Sequence, residues 1–277
     1  MNCLPLSALE LFATSLTDGF RAELYLTPKP GLVDLLDNGS HADLTLPLMV
    51  RSVDLIDDYL QELAHALYHR QTLSELQQIA LRAEQRMLAE LISNTHRGGI
   101  FLGGLLLAGY AECGSHEPEK LENAVALVAQ RYLLQARLGE SHGQQARSRY
   151  RTGGIITEAL NGLPGVFQVA LPSLRDHADN LRYGCFLAMA RLMRHCDDTT
   201  CLHRGGQAGL DRLRKAGDKL EHCLRSGGDS ASLLRELNED FRARNLTMGG
   251  VADLLGLAFG YLNFSIASDG FAPSRPW

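Results

Sequence analysis

Acids, histidines, arginines and glycines gather in five polar breaks of this chain: residues 27–41, 94–99, 141–164, 197–206 and 244–253. The first reads Thr-Pro-Lys-Pro-Gly-Leu-Val-Asp-Leu-Leu-Asp-Asn-Gly-Ser-His, in which Pro28, Pro30 and Gly31 set an extended turn carrying Lys29, Asp34, Asp37 and His41. Carboxylates beside one lysine suit a magnesium-bound polyphosphate, because magnesium takes carboxylate and phosphate oxygens together. The same residues would also make a solvated connector with helix-capping aspartates. The second break, Asn-Thr-His-Arg-Gly-Gly, places Thr95, His96, Arg97, Gly98 and Gly99 ahead of an apolar run. Free backbone N–H groups and the helix dipole at such a start favour an anion. His96 serves equally as an N-terminal cap there, and Gly98 as a close-packing residue.

The last two breaks read Asp-Asp-Thr-Thr-Cys-Leu-His-Arg-Gly-Gly and Arg-Asn-Leu-Thr-Met-Gly-Gly-Val-Ala-Asp. Each puts a glycine pair, Gly205 with Gly206 and Gly249 with Gly250, at the expected start of an apolar helix, again preparing N–H groups for phosphate. Asp253 falls in the first turn of the last helix among Val251, Ala252, Leu254 and Leu255. A partly buried carboxylate there calls for a partner or a metal, or else it complements the helix dipole. No Gly-x-x-x-x-Gly-Lys phosphate loop and no Gly-x-Gly-x-x-Gly after a strand occurs. The residues alone therefore point to a magnesium-dependent enzyme acting on a phosphorylated ligand, and no further.

The elements that must position these breaks are helices. Met49, Val53, Ile56, Leu60, Leu63 and Leu67 recur at three-and-four spacing over residues 47–68. Thr72 and Glu75 form a capping box for a second helix reaching Leu91. The apolar run Ile100 to Ala111 is a buried core helix, too short for a membrane span of roughly 20 residues. Further helices are expected at 118–138, about 178–195, about 206–225, about 230–243 and 250–265, and Val166 to Leu171, between two prolines, is expected to be a loop or an irregular segment. The expectation is an all-α, single-domain protein spanning residues 1–277, with glycine-rich loops forming the site.

A formal charge of −5 argues against a nucleic-acid binder, which needs a net-basic surface to neutralise phosphates. The basic residues are mostly arginines, with lysine only at 29, 120, 215 and 219. The six cysteines contain no Cys-x-x-Cys pair, so reduced thiols are expected. The amino terminus lacks the basic start and apolar run of a secretory signal, and a cytoplasmic enzyme is expected.

At the same five breaks the chain resembles the triphosphoribosyl-dephospho-CoA synthases, which serve citrate lyase and malonate decarboxylase. The resemblance runs in order from about residue 20 to 265 through Thr-Pro-Lys-Pro-Gly-Leu-Val-Asp with Asn-Gly-Ser-His, Asn-Thr-His-Arg-Gly, Gly143–Gln144 leading to Thr-Gly-Gly-Ile-Ile-Thr-Glu-Ala-Leu-Asn-Gly-Leu-Pro, Asp-Thr-Thr-Cys-Leu-His-Arg-Gly-Gly and Arg-Asn-Leu-Thr-Met-Gly-Gly-Val-Ala-Asp-Leu-Leu. Where that family usually has Arg-Gly-Glu-Ala, this chain has Ile156, Thr157, Glu158 and Ala159; where it has Ser-Pro-Gly-Gly-Ser, this chain has Thr247 to Val251.

The resemblance implies transfer of the triphosphoribosyl group of ATP to the 2′-hydroxyl of 3′-dephospho-CoA, releasing adenine, with Mg2+ as cofactor. It implies Glu158 as general base, with Asp34 also catalytic, and Asp34, Asp198 and Asp253 on magnesium. Phosphates and substrates would then be held by Lys29, Gly31, His41, His96, Arg97, Gly98, Arg204, Gly205, Gly206, Arg244, Asn245, Gly249 and Gly250. The Thr-His-Arg-Gly wording and His203 lean towards the malonate decarboxylase branch. The expected partners are the two substrates and, downstream, a second transferase and an acyl-carrier subunit, with no nucleic acid and no membrane; a homodimer is the base-rate expectation. The alternatives are a helical magnesium-dependent nucleotide hydrolase and a non-catalytic helical adaptor.

Overall fold

The first helix, α1 (Leu6–Tyr25), puts Leu9, Phe12, Leu16, Phe20 and Glu23 on one buried face at three-and-four spacing. The helices expected from the sequence begin only at residue 47. Pro5 opens it without a side-chain cap, and Ala13, Ala22 and Leu24 are buried as well, which blurs the amphipathic stripe. The computed structural model describes residues 4–91, 95–135 and 153–270. Among these residues the chain is all-helical, with no strand.

Four helices follow: α2 (Leu46–Tyr68), α3 (Leu73–Leu91), α4 (Arg97–Cys113) and α5 (Pro118–Gln135). The expected capping box at the start of α3 is present, with Thr72 N donating to Glu75 Oε2 at 2.6 Å and Glu75 N donating to Thr72 Oγ1 at 3.3 Å. Helix α4 is apolar on nearly every side and ends at Gly114, whose left-handed φ of 63° suits a residue without a side chain. The expected end of α5 near residue 138 and the Gly143–Gln144 pair lie outside the described residues.

Residues expected to form a loop or an irregular segment are helical instead. After α6 (Gly154–Leu160) the chain enters a π-helical turn, Gly165–Ala170, that runs directly into α7 (Leu171–Arg175). Pro172 sits at the first turn of α7, where its missing N–H is tolerated, and the widened turn absorbs the missing bond. A short 3₁₀ turn, Ala178–Asn180, precedes α8 (Leu181–His195).

Helix α9 (Thr199–Arg225) begins earlier than expected because Asp198 caps it, and it bends at Gly206, whose φ of 62° and ψ of −162° are non-helical. The expected helix over 206–225 is its second segment. Helix α10 (Ser230–Ala243) is capped by Asp229 and α11 (Gly249–Ser268) closes the fold. By length and composition α11 could cross a membrane, but 67% of that stretch is buried inside this protein. It packs antiparallel on α1, because Gly19 lets the backbones touch: a β-carbon there would lie 2.2 Å from the Gly256 carbonyl oxygen and 2.3 Å from the Gly260 nitrogen. Phe20 lies against Gly256, so one turn further along Glu23 comes level with Asp253.

Candidate active site

Four of the five breaks meet at one cavity of about 180 Å3. Its wall contains Lys29 from the first, Thr95 to Gly98 from the second, Thr200 from the fourth, and Thr247, Gly249 and Asp253 from the last, together with Glu23 and His41. Lys29 is 1% exposed. Its Nζ donates to the Glu23 carboxylate at 2.7 Å and to the Glu23 carbonyl oxygen at 2.7 Å. Burial pushes the Glu23 carboxyl above its usual range, against the pull of Lys29. Asp253 is held well above the carboxylate range by burial first, then by Glu23 and Asp198, while the Gly99 amide favours its charged form.

Both histidines of this cavity are neutral bases. Burial, and then Lys29, lower His96 to about 4, and its Nδ1 pairs with the Ser52 hydroxyl while Phe20 meets its ring edge-on at 5.8 Å. Burial, and then Arg204, lower His41 to about 4. Arg204 can only donate, so its contact to His41 Nδ1 at 3.1 Å makes that nitrogen the acceptor and leaves Nε2–H to donate to Thr247 Oγ1 at 3.0 Å.

The expected magnesium trio of Asp34, Asp198 and Asp253 does not converge. Asp34 accepts from the backbone N–H groups of Lys29 at 2.8 Å, Leu36 at 2.7 Å and Asp37 at 3.3 Å, so it shapes its own loop and takes no place in the cavity wall. Asp198 Oδ1 accepts from Thr200 N at 2.9 Å and Cys201 N at 2.8 Å, and its Oδ2 accepts from Val251 N at 3.1 Å. It thus caps α9 and α11 at once. Among the described residues no group of three or more His, Cys, Asp or Glu side chains is arranged to hold a metal. Asp253 alone of the trio faces the cavity, with Glu23 beside it. A magnesium ion bound through one or two protein carboxylates and phosphate oxygens fits that donor set; a three-carboxylate cage does not.

Several residues expected to bind ligand make internal contacts. A β-carbon at Gly31 would lie 2.4 Å from the Leu246 carbonyl oxygen, and one at Gly205 would lie 2.4 Å from Leu246 Cδ2, so both glycines permit packing. Gly205 and Gly206 sit at the bend inside α9 rather than at a free helix start. Arg204 ties two loops together through the Ser40 carbonyl at 2.7 Å and Asn245 Oδ1 at 3.1 Å. Arg244 is exposed and pairs with Asp240 at 3.1 Å. Arg97 is half-exposed at the cavity edge, paired with Glu84 at 3.1 Å. Likewise the N-terminus of α11 is capped internally by Asp198, and that of α4 faces Asp253.

Glu158 stands elsewhere. It lines a second cavity of about 550 Å3 with Gln168, Arg191, Arg194, His195 and Cys196, and an adjoining one with Gly154, Asp197 and Gly250. Its Oε1 accepts from Gly165 N at 2.5 Å, and burial raises its pKa. The first turn of α11 divides this space from the Lys29 cavity: Gly249, Ala252 and Asp253 face one side, Gly250 and Leu254 the other. A glycine pair is the thinnest wall a helix start can offer.

Glu23, Thr200 and Thr247 were not singled out from the sequence. Glu23 could have been found, since it extends the Leu16 and Phe20 face by one turn and so places a carboxylate on a core-facing stripe. Thr200 and Thr247 carry no such signal.

Known proteins agree on one family. The family model described as ATP:dephospho-CoA triphosphoribosyl transferase matches residues 10–264. A protein of Pseudomonas aeruginosa (strain UCBPP-PA14) named probable 2-(5''-triphosphoribosyl)-3'-dephosphocoenzyme-A synthase is 35% identical over 96% of this chain and 94% of its own length. A protein of the same name from Azotobacter vinelandii is 36% identical over 91% of this chain and 90% of its own, and one from Acinetobacter calcoaceticus is 32% identical over 85% and 84%. No solved structure matches the chain.

Proposed function

Since the chain belongs to the ATP:dephospho-CoA triphosphoribosyl transferase family, we propose that this transferase joins ribose C1 of ATP to the 2′-hydroxyl of 3′-dephospho-CoA and releases adenine. The observation that carries the reading at the site is the meeting of Lys29, Thr95 to Gly98, Thr200, Thr247, Gly249 and Asp253 around one cavity, although they are far apart in sequence. Lys29, the one buried lysine there, and the threonine hydroxyls supply donors for triphosphate oxygens. Asp253 would hold magnesium against those oxygens, while the Glu23 carboxylate stays with Lys29; the ion would supply charge neutralisation of the triphosphate.

Dephospho-CoA would enter from the Glu158 side, where His195 and the guanidinium groups of Arg191 and Arg194, both paired with Glu221, line the cavity and would meet its pyrophosphate. The two substrates then approach from either side of Gly249 and Gly250, and transfer requires ribose C1 and the 2′-hydroxyl to meet past the edge of that turn. The glycosidic bond to adenine breaks as the bond to the 2′-oxygen forms; Glu158 takes the hydroxyl proton and gives it up to the departing adenine, so one proton passes from the 2′-oxygen to the base. A carboxyl raised by burial is suited to that exchange. All three phosphates remain on the product.

The Thr-His-Arg-Gly wording and His203 support the malonate decarboxylase branch rather than citrate lyase. The product would pass to a second transferase and then to a serine of an acyl-carrier subunit, in the cytoplasm; a homodimer and a single functional domain complete the proposal. Incubation with ATP, dephospho-CoA and magnesium tests it by mass. Adenine released only with dephospho-CoA, with a product retaining three phosphates, is the expected result; adenine without coupling, or free phosphate, would refute it.

A further inference from the structure

One residue fixes the Lys29 ammonium twice. Glu23 accepts from Nζ through its side chain and through its own carbonyl, both at 2.7 Å, and the two side chains are 3% and 1% exposed. A buried ion pair contributes little net stability, because desolvating both charges offsets their attraction, and packed apolar residues of similar volume often replace such pairs without loss. What this pair supplies is position. An ammonium has three donors; Glu23 takes two, so the third is the one left for a ligand in the cavity that both residues line. The mount itself is rigid, since Gly19 against Gly256 and Gly260 sets the register of α1 on α11 and brings Glu23 level with Asp253.

We infer that Glu23 is a positioning residue for the transfer: it holds Lys29 so that its remaining N–H meets a triphosphate oxygen of ATP, and it balances the lysine charge while the cavity is empty. This rests on the ATP-dependent reading of the same cavity. Wild type, Glu23→Gln and the double variant Glu23→Leu with Lys29→Met are compared in turnover, in calorimetric binding of inorganic tripolyphosphate, and in thermal melting.

Glu23→Gln is expected to raise KM for ATP and weaken tripolyphosphate binding about 10- to 100-fold, the worth of a misplaced charge-assisted hydrogen bond, with KM for dephospho-CoA unchanged. The double variant is expected to melt near wild type and bind no tripolyphosphate. Tripolyphosphate binding at wild-type strength in either variant overturns the inference, and so does a parallel rise in both KM values with a lowered melting point, which marks a structural role. If wild type itself releases no adenine, the proposed reaction fails, while tripolyphosphate binding still decides the role of Glu23.

Discussion

A β-carbon at Gly98 would lie 2.0 Å from Oδ2 of Asp253, so the start of α4 and the first turn of α11 fit together only because residue 98 has no side chain. A β-carbon at Gly99 would likewise lie 3.0 Å from the Phe20 ring. Gly98→Ala is therefore expected to push the Asp253 carboxylate out of the cavity wall. It should lower kcat/KM by about 100-fold, as a displacement of an ångström at a reacting centre does, and lower stability by about 1–3 kcal/mol through overpacking. Steady-state kinetics with a urea melt checks both; a fully active variant would show that the Asp253 position is immaterial.

Asp253→Asn separates charge from shape. The carboxyl is buried with no cation paired to it and is raised well above its usual range, burial being the largest cause. Neutralising it should leave stability unchanged or higher, by about 1 kcal/mol, while the magnesium dependence of turnover weakens. An unchanged magnesium titration removes Asp253 from the metal role.

Asp198 has a different task, which a stability measurement reveals. One carboxylate caps α9 through Thr200 and Cys201 and α11 through Val251. Asp198→Ala should destabilise the protein by about 2–4 kcal/mol, two caps at the upper part of the usual range. A change below about 0.5 kcal/mol in a denaturant titration would contradict the double cap.

Glu158→Gln keeps the size of the side chain and removes its basicity. Turnover should fall by about 100-fold or more, the usual contribution of a general base, with ATP binding intact. Turnover near wild type would exclude Glu158 from proton transfer.

The two neutral histidines predict a stability slope in acid. His41 and His96 are each lowered to about 4, burial being the main cause, whereas in the unfolded chain they titrate near 6.5. Between those values the unfolded state binds protons that the folded state does not, so stability falls as pH drops from about 6.5 towards 4, by up to ~3 kcal/mol per histidine. Asp253 and Glu158 run the other way, since their raised carboxyls retain protons in the folded state. Comparing wild type with His96→Gln isolates the histidine contribution: the variant should show the shallower acid slope, and identical slopes would refute it.

Periodicity and caps were legible where they act locally. Thr72 with Glu75 announced the start of α3, and Ser230–Ala243 followed its apolar repeat, because both signals depend on residues within a few turns of one another. The segment at Gly165–Ala170 coils although its flanking prolines look like breakers, because the neighbouring turns accommodate their missing N–H groups. The five polar breaks were visible as chemistry by composition, and their order carried the family.

What composition could not assign was which acid faces a cavity. Asp34, Asp198 and Asp253 all stand in or beside glycine-containing breaks, yet the first closes its own loop, the second caps two helices and the third faces the cavity. Glu23, inside a helix with no glycine near enough to draw notice but Gly19, became a site residue only through the antiparallel seating of α1 on α11. Residue type and local spacing determine which side chains can do chemistry and which stretches coil into helices. Whether a carboxylate closes its own loop, as Asp34 does, or turns to a distant element, as Asp198 does to Val251 and Asp253 to the start of α4, is decided only when the helices pack.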